Sequence, residues 1–127
     1  MPTHTITIGV VSSGSSPISG SYSQVGTAEA SIDTTLPAAS TNTLVAVNYG
    51  AAGTATGNLL SIQIKASQNC TLKTNSSGSP TQTITLSANI PRQWDFTNPS
   101  LLFSGAVTAW YITCTNATRL QALILTA

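Results

Sequence analysis

Charge is what this sequence has least of. Seven of its 127 residues are charged, Lys65, Lys73, Arg92 and Arg119 against Glu29, Asp33 and Asp95, for a formal net charge of +1. That is 6% of the chain, where soluble domains carry about 25%. Nucleic-acid affinity rests on clustered Lys and Arg neutralising phosphates, and four scattered basic residues make no patch, so no nucleic-acid partner is expected. Histidine occurs once, at His4. A Ser-His-Asp nucleophile would have to use that residue as its base, and no G-x-S-x-G elbow is present. Paired carboxylates for glycoside hydrolysis would come from Glu29, Asp33 and Asp95; the first two lie four residues apart on one face of a predicted strand, where surface polar residues are the simpler reading. Zinc needs a Cys/His spacing and calcium a carboxylate-rich loop, and the sequence has neither. No catalytic residue, metal or cofactor is expected, and the chain does not read as an enzyme.

Long apolar runs are also missing. The longest stretches, such as Leu120 to Leu125, fall far short of the roughly 20 residues that span a bilayer, so no membrane partner is expected. The first residues, Met1-Pro2-Thr3-His4-Thr5, carry neither a basic n-region nor a following apolar h-region, and synthesis in a cytoplasm is the expectation. Cys70 and Cys114 are too few for a disulfide scaffold. Both fall within predicted strands, either as buried thiols serving as small apolar residues or, should their strands be neighbours, as a disulfide formed in an oxidising medium.

What fills the space left by charge is hydroxyl. Serine and threonine number 17 and 21, while 41% of residues are hydrophobic, too many for a disordered polar chain. One domain over residues 1–127 is expected. The periodicity is two almost throughout: Thr5-Ile6-Thr7-Ile8, then Leu60, Ile62 and Ile64 between Ser61, Gln63 and Lys65, then Ile84 and Leu86 between Thr83, Thr85 and Ser87. Each is a strand with one buried face. Predicted strands cover 4–11, 24–34, 43–49, 59–66, 70–75, 81–87, 107–114 and 118–126. Turn clusters separate them, and the alanine-rich pieces are broken by Gly and Thr before a helix could form. The fold class is all-β: an antiparallel β-sandwich, jelly-roll-like, of about eight strands.

Two connections carry more detail. Asn75 to Pro80 joins two alternating runs and supplies Asn and Gly for positive φ, so 70–75 and 81–87 should pair antiparallel. Residues 12–23, with Gly14, Pro17 and Gly20, read as a Gly/Ser-rich flexible loop, an ordinary surface loop or a linker that lets the first strand reach a neighbouring subunit. The longer loop from Ile90 to Gly105 holds Pro91, Trp94, Phe96, Pro99 and Phe103, and so many large apolar groups should fold back over an open end of the sandwich.

Candidate contact residues follow from the few aromatics. Trp94, with Arg92 and Asp95 beside it, is the one candidate for stacking a sugar; the plainer reading is a Trp that plugs the sandwich end. Trp110 and Tyr111 are adjacent on a strand and must face opposite sides, so one of them points away from the core as a contact surface.

The segment from Leu59 to Leu125 resembles small β-rich virion proteins of tailed bacteriophages in its order of elements: Leu60-Ser-Ile-Gln-Ile-Lys65, a strand ending in Asn-Ser-Ser at 75–77, Gln82-Thr-Ile-Thr-Leu86, Pro91-Arg-Gln-Trp94, Tyr111-Ile-Thr-Cys-Thr-Asn116 and Ala122-Leu-Ile-Leu125. The resemblance implies a head decoration, or cement, protein at the virion surface. Such a protein binds the major capsid protein as a homo-oligomer, a trimer or dimer, and has no active-site residues to transfer. A carbohydrate- or receptor-binding sandwich, on a tail tip or in a lectin, is the competing expectation.

Overall fold

The computed structural model describes residues 1–96 and 105–127, with the side chains at 10, 12, 15 and 17 set aside. Pro99 and Phe103 therefore lie outside the described residues. The described chain is all-β, in ten strands: β1 (Thr3–Ser12), β2 (Ser15–Val25), β3 (Ala28–Leu36), β4 (Thr43–Ala52), β5 (Asn58–Ala66), β6 (Cys70–Thr74), β7 (Thr83–Leu86), β8 (Arg92–Asp95), β9 (Val107–Cys114) and β10 (Thr118–Thr126).

Strands β3 to β10 pair in nested fashion. The first of the eight pairs with the last (β3 with β10), the second with the seventh (β4 with β9), the third with the sixth (β5 with β8) and the fourth with the fifth (β6 with β7), all antiparallel. Pairing of β10 with β5 and of β6 with β9 completes two four-stranded layers, β3-β10-β5-β8 and β4-β9-β6-β7. A short parallel contact of β4 with β5 joins the layers at one corner. This is the strand order of a jelly roll.

The core lies between the layers and follows from the alternation. Ile62, Ile64 and Ala66 of β5, Leu72 of β6, Ile84 and Leu86 of β7, Trp110 and Ile112 of β9, and Leu120, Ala122 and Ile124 of β10 all point inward. Burying such side chains yields about 1.5–3 kcal/mol each, which holds the sheets face to face with little help from charge.

Eight strands were expected, but the eight of the sandwich are not quite those read from the sequence. The 12–23 segment, expected to be a loop, is largely strand β2, paired with β1 along its length from Thr3↔Val25 to Ser12↔Ser15. Ser, Gly and Pro give it low intrinsic strand propensity; its ladder with β1 supplies what propensity does not. Residues 92–95, expected within a long loop, form β8, because Trp94 lies opposite Ile62 and is drawn into the core. The hairpin of 70–74 with 83–86 forms as expected. Asn75 takes the positive φ of 68° there, whereas Gly78 does not adopt one.

Candidate functional site

The hairpin β1–β2 is outside the sandwich and packs its root on the outer face of β5 and β8. On β5 the outward residues are Ser61, Gln63 and Lys65, alternating with inward Ile62 and Ile64. Ser61 lies opposite Asp95 of β8 and Leu125 of β10, so these three share that outer face. Ile6, Leu60 and Leu125 are buried there, apart from the main core.

Each hairpin strand sends one polar side chain down to the sheet. From β1, His4 Nδ1 lies 3.0 Å from Ser61 Oγ and His4 Nε2 lies 3.1 Å from Glu29 Oε2 of β3. From β2, the Tyr22 hydroxyl donates to Asp95 Oδ2. Ser61 and Asp95 are buried at 2% and 1% exposure, and a buried carboxylate requires such donors.

The Ser61–His4–Glu29 chain borders a cleft of about 380 Å³ shared with Gln63, Gln93 and Leu123, and it has the connectivity of an acid–base relay. Its local frame does not resemble one. The carboxylate sits on Nε2 and the hydroxyl on Nδ1, the reverse of the usual arrangement. Ser61 is enclosed in the middle of a strand whose neighbours on either side are β10 and β8, so the amides around it are committed to ladders rather than turned toward a developing oxyanion. What these groups do here is fasten the hairpin. In the sequence His4 stands out only as the one base a Ser-His-Asp nucleophile would have to use; nothing in its local pattern could indicate Glu29 and Ser61 as partners.

Beyond the root the hairpin leaves the sandwich. Every described side chain from Thr7 to Ser21 is exposed, and the stretch from Thr7 to the turn is roughly 20 Å of strand. Ile8 lies opposite Gly20, two residues on from the pair of buried Ile6 and half-buried Tyr22, and so continues the same face. Ile8, Ile18 and Tyr22 border a shallow apolar groove of about 450 Å³ on this arm. Ile8 is 55% and Ile18 78% exposed. No residue from Thr5 to Ala28 is charged.

The residues expected to form a contact site are dispersed. Trp94 points into the core at 1% exposure and is not available to stack a sugar, which corrects that expectation. Asp95 is buried beneath the hairpin, where it serves Tyr22. Arg92 is exposed and reaches the Thr85 carbonyl at 3.4 Å. Trp110 is fully buried and donates from Nε1 to the Tyr49 hydroxyl at 3.2 Å, where burial holds the Tyr49 phenol well above its ordinary pKa. Tyr111 is therefore the outward member of its pair, half-buried on β9. Arg92 and Tyr111 remain at the surface on different layers.

No group of His, Cys, Asp or Glu among the described residues is arranged to hold a metal ion. The outer sheet face carries an Arg–carboxylate fork, Arg119 Nε and Nη2 to Asp33 at 2.9 and 2.7 Å. Arg119 holds the Asp33 carboxyl below its usual range. Fold and site together define a jelly-roll sandwich carrying a projecting, uncharged β-hairpin arm. No protein-family model, curated protein or solved structure matches this chain.

Proposed function

We propose that this is a structural protein of a bacteriophage virion. It decorates the outside of an icosahedral head by binding the major capsid protein, as a homo-oligomer, and stabilises the shell by non-covalent contact without catalysing a reaction. The observation that carries this reading is the arm. An isolated two-stranded ribbon is marginal in water, yet the outer half of this one exposes Ile8 and Ile18 on a single face, and every described side chain from Thr7 to Ser21 is exposed. Such an arm gains stability by lying against a partner surface, through apolar burial and through its two open strand edges. An arm without charge selects partners by shape rather than by ion pairing.

The test is quantification of the chain in purified particles, followed by rebinding to heads stripped of it. Hundreds of copies per particle support decoration; a handful would place the chain in a tail or vertex and overturn it. Replacing both Ile8 and Ile18 with Ser should leave thermal unfolding unchanged and weaken rebinding by at least about 100-fold, from roughly 3 kcal/mol of lost apolar burial. Because the arm lacks charge, rebinding should change less than about twofold between low and physiological salt. Steep salt weakening, or saturable binding on a glycan array, would favour another reading.

A further inference from the structure

Cys70 and Cys114 are 44 positions apart in sequence and directly opposite in the β6–β9 ladder. Both point to the core side, at 5% and 4% exposure, and both are free thiols. The hydrogen-bond pattern identifies the kind of pair they make. Cys114 donates its backbone N–H to the Ser40 carbonyl, on the β4 side of β9. In an antiparallel strand a residue's N–H and C=O point the same way, so Cys114 makes no ladder bond to Cys70. Theirs is a non-hydrogen-bonded pair, with Cα atoms about 4.5 Å apart and side chains drawn close. That spacing is at the near end of the range a disulfide bridges, about 4.4–6.8 Å. Both cysteines also border one cleft of about 410 Å³, shared with Ser40, Thr71, Thr85 and Thr113. Burial and the neighbouring Cys114 push the Cys70 thiol up to about 11, which keeps it protonated and slow to react in a reducing compartment.

We propose that Cys70 and Cys114 form a cross-strand disulfide modification site, closed by exchange with a small disulfide such as oxidised glutathione once the protein meets an oxidising medium. One cysteine thiolate attacks a sulfur of glutathione disulfide and releases one glutathione thiolate. The second cysteine thiolate attacks the protein sulfur of the mixed disulfide and releases the other. The two thiol protons go to the two glutathione thiolates; the protein pair is oxidised by two electrons and one glutathione disulfide is reduced to two glutathiones. The bond would tie β6 to β9 in the sheet opposite the hairpin root and close a loop of about 45 residues in the unfolded chain. It is independent of the arm and of any capsid partner.

The experiment is to refold the full chain from denaturant in a reduced/oxidised glutathione mixture, so that access to the folded core limits nothing, and to measure intact mass and free thiols. The expected result is a protein lighter by two hydrogens, no free thiol after denaturation, a single Cys70–Cys114 cross-linked peptide, and a Tm higher by roughly 10 °C than the reduced form. Cys70→Ser, with one thiol left, should show no such rise in either buffer, and the Cys70→Ala/Cys114→Ala double variant supplies the unlinked reference. Two thiols still free after refolding, glutathione adducts on both, or a cross-link that lowers Tm would each overturn the proposal.

Discussion

Tyr22 donates its phenolic hydrogen to Asp95 Oδ2 across 73 positions of sequence, and so fixes the second strand of the projecting hairpin to β8. Together with the bonds of His4 to Glu29 and Ser61, it decides where the arm leaves the sandwich. Tyr22→Phe keeps the ring but takes one donor from a buried carboxylate, and should cost about 1–3 kcal/mol. Amide exchange should quicken most in β1 and β2, with β9 and β10 following only the global change. Unchanged exchange in the hairpin would mean that the bond does not hold it.

Two buried tryptophans should respond differently to the same substitution. Trp110 Nε1 has the Tyr49 hydroxyl as acceptor, whereas Trp94 Nε1 has no hydrogen-bond partner among the described residues. Trp94→Phe removes an uncompensated N–H, which offsets the loss of packing, and its urea midpoint should correspond to a change within about 1 kcal/mol. Trp110→Phe loses similar volume and a satisfied bond, and should be the more costly by about 1–3 kcal/mol. Equal costs would contradict the contrast.

At the junction of β2 and β3 the chain passes too close to β10 for a side chain. A β-carbon on Gly26 would overlap the Thr126 carbonyl oxygen and the Leu125 side chain. Gly26→Ala should therefore destabilise by about 1–3 kcal/mol. On the arm, a β-carbon at Gly20 meets nothing within 4 Å, and Gly20→Ala should be neutral or stabilising by about 0.5 kcal/mol. Thermal unfolding of the two variants side by side makes the comparison.

Asp33 and Arg119 face solvent, with side chains 50% and 57% exposed. Because Arg119 holds the Asp33 carboxyl low, any stability from the pair is present above the unfolded carboxylate value, about 4, and is lost as pH falls through the lower folded value. At such exposure solvent and salt screen the pair. Asp33→Asn should unfold with the wild type at about pH 7 in moderate salt, where an exposed pair contributes little. A Tm difference of several degrees there would show that the pair is not screened.

The alternation of Ile62 and Ile64, or of Ile84 and Leu86, was legible because a half-buried strand must repeat every two residues whatever it packs against, whereas Leu60, expected on the same face, lies apart from the main core where the β5–β10 register shifts and Leu59 takes the core position. Asn75 was legible as a turn because its side chain tolerates positive φ, which it adopts at 68°; that it also accepts from Thr108 N–H and donates to the Ala106 carbonyl, more than 30 positions away, was not. Strand β8 was not legible, since four residues with one apolar member carry no period, and Trp94 became a core residue only when β8 paired with β5. Strand β2 was hidden for the opposite reason: its composition argues for a loop, and only a partner strand of matching length overrides that.

The sequence by itself determined an all-β chain with little charge, because side-chain periodicity and composition are local and need no knowledge of neighbours. Which strands lie side by side, that His4 and Tyr22 reach Glu29, Ser61 and Asp95, that Trp94 is buried, and that Cys70 faces Cys114 were decided only by tertiary structure. Each of those relationships joins residues far apart in the chain, and its energy exists only once the intervening strands have packed.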